Sequence, residues 1–220
     1  MTDEPDERWA RPAHQGRSRA QRDRLLRAAE RVFATKGFWA AHVIDIAQAA
    51  ECSVGSFYRR FKDKETLFFA LQAYMHERAR ENIQRFFDAA EAEDAPLAEI
   101  FERLMANTIR SVRGIAGYYR ALYEMSLRGH AVWPLMRELE AYQGDRIAGL
   151  AMARGAAGSR AEIATRAQFI TRVVNGQINS VVLYGAGPYD WDDPDFPREL
   201  ARLVVEHLGL TDLSARHAEP

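Results

Sequence analysis

A single cysteine, Cys52, rules out an internal disulfide and any cysteine-built metal site in this 220-residue chain. No uninterrupted apolar run is long enough to span a bilayer, and the opening stretch MTDEPDERWA lacks the apolar core of a signal peptide. Both absences lead us to expect a soluble protein of the reducing cytoplasm with no membrane partner. The six histidines are scattered, with no HExxH pair, so no metal is expected. A phosphate loop, a dinucleotide fingerprint and a G-x-S-x-G elbow are missing too; Ser56 follows a glycine in VGSFY but has no second glycine after it. Asp190, Asp192, Asp193 and Asp195 cluster, yet the central glycine of a calcium loop is absent and its twelfth position is Ala201 rather than Glu. The expectation is therefore of no catalytic residues, no cofactor and no enzyme.

What remains is ordinary globular composition, 47% hydrophobic and 28% charged, on a chain long enough for two domains. The pattern is helical throughout, and we expect two all-helical domains. A net charge of -1 conceals a segregation: residues 17–64 carry eleven Lys/Arg against five Asp/Glu, net +6, whereas residues 65–220 are net -5 and the first sixteen net -2. A positive field confined to one segment supplies the sequence-independent attraction that a phosphate backbone needs.

That segment contains HVIDIAQAAECSVGSFYRRFKDKETL, from His42 to Leu67. Val43, Ile46, Ala47 and Ala50 fall at i, i+3, i+4 and i+7, one apolar face of a short helix. Ser53 is a good N-cap for a second helix from Val54, in which Phe57 and Phe61 point inward. This leaves Val54, Gly55, Ser56, Tyr58 and Arg59 on a small, polar and basic outer face suited to a major groove. Asp63 caps a third helix from Lys64. Upstream, Ser18 and Gln21 have capping-box spacing for a helix that stops at Gly37, and its start carries Arg17 and Arg19, placed to meet phosphate.

These residues resemble the TetR family of bacterial transcription regulators, whose DNA-binding domain has the pattern IA-x-x-A, S-x-G-x-hydrophobic-Y-x-x-F and K-x-x-L. Here it stands as Ile46-Ala47, Ala50, Ser53, Gly55, Phe57, Tyr58, Phe61, Lys64 and Leu67. Two positions depart from it: Glu51 sits in the turn where the family usually has glycine, and His42 where a Ser or Thr cap is usual. The resemblance implies an all-α fold, with an N-terminal three-helix helix-turn-helix domain and a C-terminal helical bundle for ligand binding and dimerisation. It implies double-stranded operator DNA as partner, met by Arg17, Arg19, His42, Val43, Ser53, Val54, Gly55, Ser56, Tyr58, Arg59 and Lys64. Tyr58 and Lys64 would meet phosphates, and Val54 and Ser56 base edges.

The chain divides, on this reading, into a flexible arm (1–16), the DNA-binding domain (17–64, with the start of its linking helix to about residue 70), a ligand-binding and dimerisation domain (65–210) and a tail (211–220). A long helix to about Ala90 joins the two domains, and a small-residue break at Gly155–Ser159 precedes another to Tyr184. Methionines and aromatics between residues 100 and 142 read as core or pocket lining. With the resemblance they imply an effector cavity formed by Phe101, Leu104, Met105, Tyr119, Leu122, Tyr123, Trp133 and Met136, joined by Phe169, Val173 and Gln177. The expected effector is a largely apolar or aromatic small molecule. The last two long helices are expected to form a homodimer interface. The function implied is a ligand-responsive repressor on a palindromic operator. An activator, or a DNA-binding protein without an effector, stays open as an alternative, with a helical enzyme or interaction module further off.

Overall fold

The computed structural model describes residues 16–185 and 187–210, with side chains from Arg19 onward. The expected arm before Gly16, the tail at 211–220 and the side chains of Arg17 and Ser18 lie outside the described residues. Those described are helical with no strand: α1 (Gly16–Ala40), α2 (Val43–Ala49), α3 (Val54–Tyr58), α4 (Lys64–Glu91), α5 (Leu97–Gly114), α6 (Ala116–Leu127), α7 (Trp133–Ala153), α8 (Arg160–Tyr184) and α9 (Asp195–Leu208). They fall into two compact units. One comprises the chain up to Arg78 with Ile115–Leu135, the other Ala79–Gly114 with everything from Met136.

In the first unit α1 is broken at Gly37, whose φ of 71° is a left-handed conformation that glycine adopts without steric cost. The core beneath it is aromatic. Phe33, Phe38 and Phe68 form a triangle with ring centroids 5.3–5.6 Å apart, and Tyr118 of α6 adds a fourth ring 5.8 Å from Phe68. Leu25, Leu26, Ile46, Phe57, Phe61 and Leu67 complete it, each fully buried. Burying a side chain of this size is worth about 1.5–3 kcal/mol, so tertiary packing, not helix propensity, sets the short α2 and α3 in place.

Gly117 interrupts no helix. It lies within α6, where the missing side chain lets that helix touch α1. The real interruptions are at Ile115, with a non-helical backbone, and around Gly129, which has φ 85°. Pro134 occupies the second position of α7, where a missing N–H leaves no helix bond unmade.

In the second unit α5 packs along α9. Their amphipathic faces bury Ile100, Phe101, Leu104, Met105, Ile109 and Val112 on one helix, and Phe196, Leu200, Ala201, Val204 and Leu208 on the other. Arginines bind the periphery. Arg146 reaches Asp88 at 2.7 Å and Glu91 at 3.0 Å, Arg113 pairs with Asp192, and Arg166 donates to the carbonyl of His207 at the end of α9, where helix carbonyls lack partners. A full capping box, Ser159 with Glu162, starts α8.

Candidate DNA-binding surface

The helix-turn-helix is assembled by side chains that satisfy its loose backbone ends. At the start of α2 the His42 N–H donates to Asp45 Oδ2 at 2.9 Å, and Lys36 holds the same carboxylate at 2.8 Å. The Lys36 hydrogen bond first, and the His42 N–H second, lower the Asp45 pKa from its ordinary value. At the other end Arg31 donates to the Ala49 carbonyl at 3.0 Å. The turn passes through Glu51 with φ 53°, the left-handed conformation for which the resemblance leads one to expect glycine. Burial pushes the Cys52 thiol up, opposed by the nearby guanidinium groups of Arg24 and Arg59.

Ser53 caps α3 as its sequence position implied, accepting from the Ser56 N–H at 3.1 Å. Its hydroxyl lies 3.0 Å from Ser56 Oγ, and Arg59 Nη2 donates to that oxygen at 2.6 Å. The polar face of α3 is thus fixed as a unit before any ligand arrives. Phe57 is buried, while Tyr58 is 49% and Val54 37% exposed. A Cβ on Gly55 would meet only Ser53 Oγ, at 3.8 Å, so nothing inside the protein requires glycine there. Of the remaining expected contacts, Ser53, Arg59, His42 and Arg19 are exposed, Ser56 and Val43 half-buried.

Lys64 differs from the rest of the set. Its ammonium, expected on a phosphate, turns inward and donates to the carbonyls of Phe38 at 2.6 Å and Ala41 at 2.8 Å. The sequence-based set omitted Arg24, whose exposed side chain comes close to Cys52 in the turn, and exposed Ile44 on α2, because α1 and α2 were read for their buried faces.

The residues expected to surround an effector are divided between the units. Tyr119, Leu122, Tyr123 and Trp133 belong to the first, where the Tyr123 and Trp133 rings meet at 4.9 Å and the Trp133 indole donates to Ser126 Oγ at 2.5 Å. Phe101, Leu104 and Met105 are buried in the second unit, and Met136 there is half-buried. Phe169, 59% exposed, Val173 and Gln177 lie along the outer side of α8 rather than in that core. A cleft of about 420 Å³ in the second unit is lined by other residues: Phe86, Ala89, Ala90 and Glu93 beside Arg103, Ala106, Asn107 and Arg110. The sequence carried its signal only as the polar side of α5, with Arg103 and Arg110 seven residues apart.

A capped turn leading to a short, outward-facing, polar and basic helix on an aromatic floor defines a helix-turn-helix DNA-binding domain. Residues 25–71 match the family model for bacterial regulatory proteins of the tetR family. No curated protein matches the chain. Among solved structures, a Mesorhizobium loti protein described as a TetR-family transcriptional regulator is 17% identical, with TM-score 0.73 over 89% of this chain and 98% of its own. The transcriptional regulator FadR of Bacillus subtilis, solved with stearoyl-CoA, is 18% identical at TM-score 0.62, over 84% of this chain and 98% of its own. Thermus thermophilus FadR, a TetR-family repressor solved with lauroyl-CoA, is 20% identical at TM-score 0.53, over 84% and 94%. The first unit therefore holds a TetR-family DNA-binding domain, and the chain has the fold of TetR-family transcriptional regulators. Among the described residues no helix is long and apolar enough to cross a membrane.

Proposed function

We propose that this chain is a ligand-responsive transcriptional repressor that binds a palindromic operator as a homodimer in the cytoplasm. The observation that carries the reading is α3 itself. Its inner side is anchored by Phe57, while Val54, Ser56, Tyr58 and Arg59 stand together around the unfilled space at Gly55. Tyr58 and Arg59 meet phosphates, and Val54 and Ser56 meet base edges, with Gly55 allowing the backbone close to the duplex. Arg19, His42, Val43 and Ser53, exposed or half-buried on the same domain, flank this contact.

Dimerisation is assigned to α8 and α9. Val174 and Ile178, apolar positions of the α8 stripe, are fully buried within the protomer, so the interface falls to the opposite stripe of Phe169, Val173, Leu183 and Tyr184. The effector is a largely apolar molecule taken up by the domain after residue 65. The acyl-CoA complexes of the two FadR proteins support a small-molecule effector in this fold, and the methionines and tyrosines between residues 100 and 142 support its apolar character.

Selection of bound sites from random duplex DNA with the purified protein tests the reading. An inverted repeat with half-sites one or more helical turns apart is expected, occupied by one or more dimers. Failure to enrich any sequence would remove DNA recognition from the account.

A further inference from the structure

The connector formed by the last residues of α1 after its break at Gly37 and by Ala41, leading into α2, is gripped from two sides by charged groups that have no part in the DNA surface described above. From one side comes Lys64, the first residue of α4. Besides the Phe38 and Ala41 carbonyls, its Nζ lies 3.4 Å from the carbonyl of Trp39 and 4.4 Å above the Phe38 ring. An ammonium has three N–H donors and no acceptor, so three carbonyls engage all it has. Burial pushes the Lys64 pKa down, and the negative charge of Glu124 opposes that shift.

From the other side comes α6. Glu124 Oε2 accepts the Phe38 N–H at 3.0 Å. Its Oε1 occupies the space left by the absent side chain of Gly37, where a Cβ would come within 2.9 Å. One turn further on, at the C-cap of α6, the Arg128 guanidinium lies 3.7 Å from the centre of the Trp39 ring. The connector therefore has its N–H at residue 38, its carbonyls at 38, 39 and 41 and its Trp39 ring all held by side chains from outside the helix-turn-helix. Immediately after it, α2 begins.

We infer that Lys64 and Glu124 are positioning residues for DNA recognition: together they clamp residues 37–41 and so fix α2 and α3 against α1, and the Lys64 ammonium does not contact the phosphate backbone. This rests on the DNA-binding reading proposed above. The two roles of Lys64 differ in a measurable way. Removing a phosphate contact lowers the slope of log affinity against log salt by about 0.9 per contact, because one counterion fewer is released. Removing a positioning contact weakens binding and leaves the slope alone. Glu124 gives an independent measure, because deleting an acidic side chain removes repulsion from DNA and any loss of affinity must come through the clamp.

The test uses the full chain and an operator selected with the wild-type protein. Lys64→Met and Glu124→Ala are each expected to lower operator affinity by about tenfold, the scale of one partly buried charge-assisted hydrogen bond, with the salt slope unchanged. Amide exchange at residues 38–41 should accelerate in both variants. A slope reduced by about 0.9 in Lys64→Met overturns the inference and restores a phosphate contact. Glu124→Ala binding as tightly as wild type, or tighter, overturns it equally, and this variant decides the matter should Lys64→Met not fold. A wild-type protein that selects no operator overturns the DNA reading and this inference with it. A wild type that binds while the variants behave otherwise than expected overturns the inference alone.

Discussion

Gly117 and Ala34 meet backbone to backbone: a Cβ on Gly117 would lie 2.1 Å from both the Cα and the carbonyl oxygen of Ala34. Neither atom can retreat without moving α1. Gly117→Ala is therefore expected to destabilise the protein by about 3 kcal/mol, the upper part of the range for overpacking, because backbone yields less readily than a side chain. Urea denaturation measures it. A loss below about 0.5 kcal/mol, the level of an indifferent surface change, would mean the two helices do not approach so closely.

Gly55 makes the opposite case. The space beside it is empty within the protein, and glycine in a helix costs roughly 0.5–1 kcal/mol relative to alanine. Gly55→Ala should leave stability equal or slightly higher while weakening operator binding, since the added methyl group stands where the backbone approaches DNA. Thermal unfolding and fluorescence anisotropy give the two readouts. Unchanged operator affinity in a stable variant would show that the duplex keeps its distance from residue 55.

The outer stripe of α8 yields a prediction about assembly. Phe169 is 59% and Leu183 38% exposed in the protomer, so charging them spares the core. The double variant Phe169→Glu, Leu183→Glu is expected to remain helical yet sediment as a monomer, with specific DNA affinity falling as the second half-site is lost. A variant that sediments as a dimer would locate the interface elsewhere.

A pH prediction follows from Asp45. Its carboxylate is held by Lys36 and by the His42 N–H, which lower its pKa in the folded protein. The unfolded chain binds a proton near pH 3.9. The cap on α2 is thus at full strength above that value and is lost as pH falls through the lower folded one. Titration of the Asp45 carboxyl by NMR should give a midpoint below 3.9, moved upward by Lys36→Met. A midpoint at or above the ordinary value would break the link between Lys36 and the cap.

The local features were legible in sequence because local chemistry makes them. The stop at Gly37, the Ser53 cap, the Asp63 cap that accepts from the Thr66 N–H at 2.7 Å, and the inward Phe57 and Phe61 all follow from residue type and spacing. Glu51 marks the limit of that logic. The backbone keeps the left-handed turn with a residue that disfavours it, at about 1–2 kcal/mol, because the packed helices on either side leave no other path. The direction of the Lys64 side chain was beyond reach for a different reason. Its partners lie 23 to 26 residues earlier, in carbonyl groups whose availability depends on the break at Gly37. The same holds for α6, whose place against α1 rests on a glycine that reads locally as a helix breaker. Of the expected effector residues, Phe169, Val173 and Gln177 fall on the outer side of α8, because sequence alone does not tell an inward face from an outer one in a helix apolar on more than one side.

The brevity of α3 bears on engineering. Five residues, Val54–Tyr58, make barely more than one turn, far below the length at which a helix persists alone in water. A synthetic peptide covering residues 42–62 would be a random chain, and grafting those five residues onto a foreign scaffold would transfer the letters of the recognition element without its shape. Any redesign of operator preference in this protein has to carry Phe57, Phe61 and the aromatic floor with it.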